Sequence, residues 1–432
     1  MLSKFFRRKI VTAILAWACI ICAAAGVFTL LPGRQSVSAE GTEETYVASV
    51  GEYSYTTLQQ AIDEAGSGDT VTLLDDTEIT DAHVSDSRVG VIIGKSLTLD
   101  GNGHKIFTQN QAIRRLVWVK NDGDAVIDVT IRDITIENFV PAGRALETRS
   151  GNIKLTLENA VLDCRESSEV DNTNKIQTFV IGGVGKNIEV NIIGSSIMAG
   201  DKGYAITLYN PAILNITGSF INCPLNADSA YNGIIGYTAI TMQGVSGGSY
   251  GAAGSEINID NSVLMAYSYH NDGSNSSFGL IVFNDTNNIN DLESFVNVSG
   301  NSVLRAVKDG GDSKLAVFSS NAFVTGINAA VENSKVIMDG GENAVFTGDN
   351  ISKYFDEGLA DVTVSGGVTF NKSVDAKYLA KNMLLYPAAD GAYGVGEKTA
   401  AVDAGCAAVI GNVAYKTLKE AVAAAAAAIP LP

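Results

Sequence analysis

The stretch F-V-N-V-S-G-N-S-V-L-R-A, Phe295 to Ala306, decides how this chain folds. Apolar Val296 and Val298 alternate with Asn297 and Ser299, Gly300-Asn301-Ser302 breaks the pattern, and Val303-Leu304 resumes it. Period-two alternation puts successive side chains on opposite faces of a strand, and Gly, Asn and Ser are the residues that a tight turn accepts. The same grammar recurs outward along the chain, as E-I-N-I-D-N-S-V-L-M-A from Glu256 to Ala266, I-E-V-N-I-I-G-S-S-I-M-A from Ile188 to Ala199, and I-L-N-I-T-G-S-F-I from Ile213 to Ile221. A short apolar run precedes most copies, among them Phe179 to Gly182, Tyr204 to Tyr209, Ala239 to Gln243 and Gly279 to Phe283. One run plus one repeat makes a unit of roughly 25 to 40 residues, the length of a solenoid coil with loops of variable size. A single coil cannot bury its apolar face, whereas stacked coils can, because like positions pile up and the main-chain ladder passes from coil to coil. The expected architecture is all-β, a parallel β-helix of about nine coils, with a β-sandwich as the competitor.

Composition agrees. The chain has 432 residues, 46% of them hydrophobic, and 44 glycines against only 7 prolines, which describes an ordered, turn-rich protein with a large core. No long helical periodicity interrupts Val71 to Phe370, which argues against α/β folds.

The start reads as an export signal, residues 1–39. Lys4, Arg7, Arg8 and Lys9 precede an apolar run from Ile10 to Leu31, and Val37-Ser38-Ala39 offers small residues for cleavage; an uncut membrane anchor is the alternative. Loss of the five basic residues in this segment takes the net charge from −17 to −22. So acidic a chain disfavours nucleic acid and anionic membrane surfaces, suits a secreted or cell-surface protein that touches membrane only through its signal, and could collect Ca²⁺. Past the signal, Cys164, Cys223 and Cys406 are odd in number and far apart, so no disulfide framework is implied.

Residues 40–45 read as a linker and 46–396 as the solenoid. Tyr46 to Val50 suits a first strand, and Thr56 or Thr57 can cap a helix whose Leu58, Ala61, Ile62 and Ala65 share one face, ended by Gly66. This helix is placed to lie over the open end of the solenoid and protect its edges. Polar inserts at Arg165 to Lys175, Val245 to Ser255, Asn284 to Glu293 and Asp349 to Leu359 should project from one side. The end of the chain repeats its beginning: Gly411, Tyr415, Thr417, Leu418, Ala421 and Val422 match Gly51, Tyr55, Thr57, Leu58, Ala61 and Ile62. Residues 397–432 therefore read as the start of a second cap and repeat module cut short by truncation; the alternative is that this helix caps the far end of the first solenoid.

Two segments carry a family resemblance. Y-T-T-L-Q-Q-A-I-D-E-A-G-S-G-D-T-V-T-L-L-D-D, Tyr55 to Asp76, and D-G-N-G-H-K-I, Asp100 to Ile106, resemble the pectate-lyase-like β-helix domains of Gram-positive bacterial surface proteins. Val364 to Ala380 with Asp390 to Gly396 is similar to the closing segment of such proteins. The resemblance implies a right-handed, three-faced solenoid. Its members include adhesin-like proteins and polysaccharide lyases or hydrolases, so the fold by itself leaves activity open.

The glycine-flanked histidine of the hydrolases has no counterpart, since His104 lies in N-G-H-K, His83 in D-A-H-V and His270 in Y-H-N-D. The enzymatic candidates are Asp124, Asp128 and Arg132, near Trp118 and Lys120: alternation puts Asp128 and Arg132 on one face, where they could serve as a carboxylate and cation pair. The alternative is an ordinary solvated face. The binding candidates are Tyr204, Tyr209, Asn210, Tyr231, Tyr237, Tyr267 and His270, because aromatic faces stack on pyranose rings while amides take the hydroxyls. No dedicated metal-binding spacing appears, and no cofactor is expected apart from loosely held Ca²⁺. The leading expectation is a non-catalytic, adhesin-like surface protein that binds a glycan or a host or matrix protein. Alternatives are a polysaccharide lyase or glycoside hydrolase, and a structural stalk of the cell wall.

Overall fold

The computed structural model describes residues 44–168, 176–182, 187–200, 202–228, 231, 236–243, 251–268, 278–284, 292–308, 315–320, 327–348 and 360–427. Residues 1–39, expected to be an export signal, lie outside them, and among the described residues no helix is long and apolar enough to cross a membrane.

The chain winds as a right-handed parallel β-helix. Three sheets of twelve, fourteen and nine strands form its faces, and each coil visits the first, second and third sheet in turn. The nine strands of the third sheet mark nine complete coils, from Thr70–Leu73 in the first coil to Ala344–Gly348 at the end of the ninth. Strands Ala360–Val364 and Thr369–Phe370 begin one more.

Inward positions stack in columns. On the first sheet Leu99, Ile131, Leu157, Ile192, Ile216, Ile259, Val298, Val331 and Val364 follow one another in register, all buried. Full burial of each such side chain is worth about 1.5–3 kcal/mol, which is why an aliphatic residue recurs at every step.

The recurring Asn-Ser and Gly-Ser pairs form the corner between first and second sheets. Gly194, Gly218, Asn261, Asn301 and Asn333 take the left-handed conformation, with φ of 56°, 57°, 47°, 65° and 42°. Only glycine and, among the others, Asn or Asp adopt it at little cost. The serine that follows turns inward, and successive serines stack: the Ser195, Ser219 and Ser262 amides donate to Oγ of Ser219, Ser262 and Ser302 at 3.1, 3.0 and 3.2 Å. Each hydroxyl donates onward to a main-chain carbonyl of its own turn, as Ser219 does to Thr217 at 2.8 Å and Ser262 to Asp260 at 2.7 Å. A bend in the core thus leaves no amide unpaired, which an aliphatic side chain could not achieve.

The N-terminal end is closed as expected. A hairpin, Ala48–Val50 with Tyr53–Tyr55, pairs antiparallel with Thr70–Leu73. Thr57 is the cap of the helix Leu58–Glu64, accepting from the Gln60 amide at 3.2 Å, and Leu58, Ala61 and Ile62 are buried. Lys95 donates to the Asp63 and Ala65 carbonyls at the helix end, both at 2.8 Å, where a cation meets the negative pole of the dipole. At the other end Phe346 makes edge-to-face contacts with Phe318, Phe370 and Tyr378. A hairpin, Leu384–Pro387 with Tyr393–Gly396, continues the second sheet there. The helix Lys398–Asp403, a second hairpin and the helix Leu418–Ala427 follow. Cys164 and Cys223 are free and buried, and burial pushes both thiols up to about 12.

Candidate functional site

The third sheet is where the inserts gather. Arg165 to Lys175 precedes its strand Gln177–Ile181, and the other three inserts follow strands of the same sheet. Their middles lie outside the described residues.

On each third-sheet strand the inward residues join the core and the residue between them faces out: Trp118 lies between Val117 and Val119, Val180 between Phe179 and Ile181, and Thr207 between Ile206 and Leu208. These outward residues form one register row, Trp118, Glu147, Val180, Thr207, Thr241, Val282 and Ser319. All seven are buried although they face away from the core. Among the described residues, the buried side-chain polar atoms without a hydrogen-bond partner are Trp118 Nε1, Thr207 Oγ1 and Ser319 Oγ, and all three lie on this row. Each orphan costs about 1–3 kcal/mol, so the row marks where water or a polar ligand would complete the bonding.

Charge concentrates at the row's beginning. The Glu147 carboxylate, 1% exposed, meets Arg115 at 2.9 Å, Arg144 at 2.5 Å and Arg149 at 3.3 Å. Arg144 also donates to Gln177 Oε1 at 2.9 Å, and Gln177 donates to the Tyr209 hydroxyl at 2.7 Å. Arg115, Lys120 and Arg149 lie 5.8, 5.9 and 5.7 Å from the Trp118 ring centroid, within cation–π range. Lys120 pairs with Asp122 at 2.7 Å. Four cations against two carboxylates leave a locally positive aromatic patch on a chain of net charge −17. Such a patch can take an anionic group while the ring stacks on a flat apolar face.

The structure brings together only some of the residues picked from the sequence. Tyr204 begins and Tyr209 follows the third-sheet strand Tyr204–Leu208, and buried Asn210 comes next. Tyr231 and Tyr267 pack elsewhere, around Cys223 and Met265, and the Tyr231 carbonyl accepts from Arg305 at 2.5 Å. Tyr237, 3% exposed, belongs to the main core. His270 lies outside the described residues.

The enzymatic candidates sit on the first sheet. Asp128 and Arg132 do share its outward face, but Arg132 donates to Asp100 on the neighbouring coil, at 2.8 and 3.0 Å, so the expected pair with Asp128 is replaced by Arg132–Asp100. That hydrogen bond raises the Arg132 guanidinium above its usual range. The Asp124 carbonyl accepts from Asn152 Nδ2 at 2.6 Å, which ties it into a turn. Sequence reasoning noted Trp118 and Lys120 but missed Glu147, Arg115, Arg144, Arg149 and Gln177. The signal available was a Glu flanked within three residues by two Arg in R-A-L-E-T-R.

Among the described residues one group has the donors for a cation: ligating atoms of Asp75, Asp76 and His104 lie within 4.8 Å of one another. Its imidazole suits a transition metal better than Ca²⁺. Asp76 already accepts from the Lys105 amide at 3.1 Å, and Asp75 from the Asp76 amide at 2.7 Å, so both carboxylates also serve the turn. A concavity of about 480 Å³ beside Phe346, Lys372 and Tyr378 lies at the opposite end of the solenoid. Comparison with family profiles, with curated proteins and with solved structures finds no match.

Proposed function

We propose that this protein is an exported, non-catalytic, adhesin-like β-solenoid of the bacterial cell surface, which binds extracellular polysaccharide at the partly exposed cations Lys120 and Arg149 beside Trp118 on its third sheet. The observation that carries the reading is Trp118, ringed by Arg115, Lys120 and Arg149 with its Nε1 unpartnered, at the head of a row that holds two more orphaned polar atoms. Partly exposed cations gathered over an indole suit the carboxylate or sulfate of an acidic sugar. The export signal and the strong negative charge support an extracellular setting, and the resemblance of Tyr55 to Asp76 to Gram-positive surface domains supports attachment at a cell wall. A host or matrix protein with acidic groups would meet the same patch. In the enzymatic reading Asp128 and Arg132 would act together, whereas Arg132 is engaged by Asp100.

The test is a binding titration against polygalacturonate, a sulfated glycan and a neutral glucan, with parallel assay of reducing ends and unsaturated products. Binding to one of the anionic chains is expected, weakened about tenfold by Lys120→Ala with Arg149→Ala, which removes the two most exposed cations of the patch. No binding to any glycan or matrix protein would leave the structural stalk, and turnover lost in Asp128→Ala would establish the enzyme.

A further inference from the structure

The hairpin and helix at the C-terminal end copy the N-terminal cap in structure as well as in sequence. In both, an antiparallel hairpin turns at a left-handed glycine, Gly51 with φ 58° and Gly411 with φ 56°. The registers are equivalent, Ala48 opposite Tyr55 and Ala408 opposite Tyr415. Both helices are capped by threonine, Thr57 accepting from the Gln60 amide at 3.2 Å and Thr417 from the Glu420 amide at 3.1 Å; the Glu420 carboxylate in turn accepts from the Thr417 amide at 3.1 Å.

What lies beneath them differs. The N-terminal hairpin offers its outer strand to Thr70–Leu73, with Ala48 opposite Leu73, and the helix buries Leu58 and Ile62 to 1% exposure each. In the C-terminal copy, strand Ala408–Ile410 ends its sheet, pairing only with Val413–Tyr415 among the described residues. Leu418 and Val422, the counterparts of Leu58 and Ile62, are 69% and 60% exposed, and Val409 and Ile410 are exposed beside them. The helix is therefore built and capped, yet the face that would hold a coil is bare.

We propose that Ala408–Ala427 is a coil-docking cap: it seats a further solenoid coil whose opening strand alternates polar and aliphatic residues as Thr70–Leu73 does. The N-terminal copy identifies the occupant, because there the same hairpin edge and the same helix face hold such a coil. It also indicates its source. At the N-terminus the chain passes from helix to strand within Ala65 to Asp69, so the coil belongs on the same polypeptide, following the helix. The inference is independent of the polysaccharide reading.

Two chimaeras test it. In the first, residues 406–425 replace residues 46–65 of the full chain. A genuine coil cap should support folding with a thermal midpoint within about 5 °C of the parent; a swap that unfolds like a scrambled cap overturns the proposal. In the second, residues 66–138, the chain's own opening coils, are appended after Ala427. Amides of Ala408 to Ile410 should then exchange at least tenfold more slowly, and Leu418→Asp with Val422→Asp should restore fast exchange while the rest of the solenoid stays protected. Unprotected amides in the appended chain count against the cap. So does a parent chain that dimerises through this face, with protection already present and lost on Leu418→Asp.

Discussion

The first and third sheets are built from the same alternation, and they treat their outward residues in opposite ways. On the first sheet the central outward row runs through Thr98, Thr130 and Thr156 and then Asn191, Asn215, Asn258 and Asn297, all open to solvent to some degree. The asparagines bond to one another, at 2.9, 3.0 and 2.9 Å in succession, so each polar group finds its partner on the next coil. On the third sheet the outward row is buried, its carboxylate is enclosed by arginines, and three polar atoms have no partner. The connections account for the contrast. The first sheet leads into a corner of two residues, Gly194-Ser195 for example, whereas the third adjoins all the long inserts. A self-satisfied ladder is a scaffold, and an unsatisfied row with a charged head is a place for something else to bind.

Removing the charge at that head gives the largest expected effect. In Glu147→Gln three arginines lose a buried counter-ion, and breaking a buried pair costs about 3–5 kcal/mol; since the arginines are partly open to water, a loss near 3 kcal/mol is expected in urea unfolding. The matching change on the first sheet, Asp128→Asn, should stay within about 0.5 kcal/mol. Equal effects would break the contrast between the faces.

The scaffold was legible in the sequence because it is local. The Gly-Ser and Asn-Ser corners, the alternation on either side and the Thr57 cap are each contained within a few residues, and they led to about nine coils and a closed N-terminal end. The third-sheet row was not legible, because it joins Trp118 to Glu147 and Thr207 to Thr241 across coils of unequal length, and no local pattern reports that register. Arg132 shows the same limit on a smaller scale. Four residues along a strand separate it from Asp128 by about 13 Å, while the adjacent strand brings Asp100 within about 5 Å, so the neighbouring coil supplies the partner. Tyr237, picked for an aromatic face that could stack on a sugar, lies in the core just before the strand Thr238–Gln243.

The amide ladder permits a smaller test. Asn258→Ala removes donors to Asn215 Oδ1 and Glu256 Oε1, both at 3.0 Å, and the acceptor for Asn297 at 2.9 Å. Water replaces such bonds readily at an open site, so a loss of about 1 kcal/mol is expected, with a non-zero coupling to Asn215→Ala in a double-mutant cycle. Zero coupling would mean that the ladder adds nothing beyond its individual residues, and the first sheet would no longer count as self-satisfied.

The smallest effect is expected at Arg132, and its size bears on the role of the whole face. The guanidinium gives two bonds to one Asp100 oxygen, yet its side chain is 42% exposed. Exposed pairs are worth about 0–1 kcal/mol and weaken as salt rises. Arg132→Ala should therefore cost no more than about 0.5 kcal/mol at low salt and nothing measurable at 1 M NaCl, whereas the Glu147 cluster, being buried, should keep most of its contribution at that salt concentration. A large, salt-resistant loss at Arg132 would show that its pair with Asp100 is held in a poorly solvated setting. The first sheet would then have a functional claim equal to that of the third, and the placement of the binding site at the third-sheet cations beside Trp118 would have to be given up.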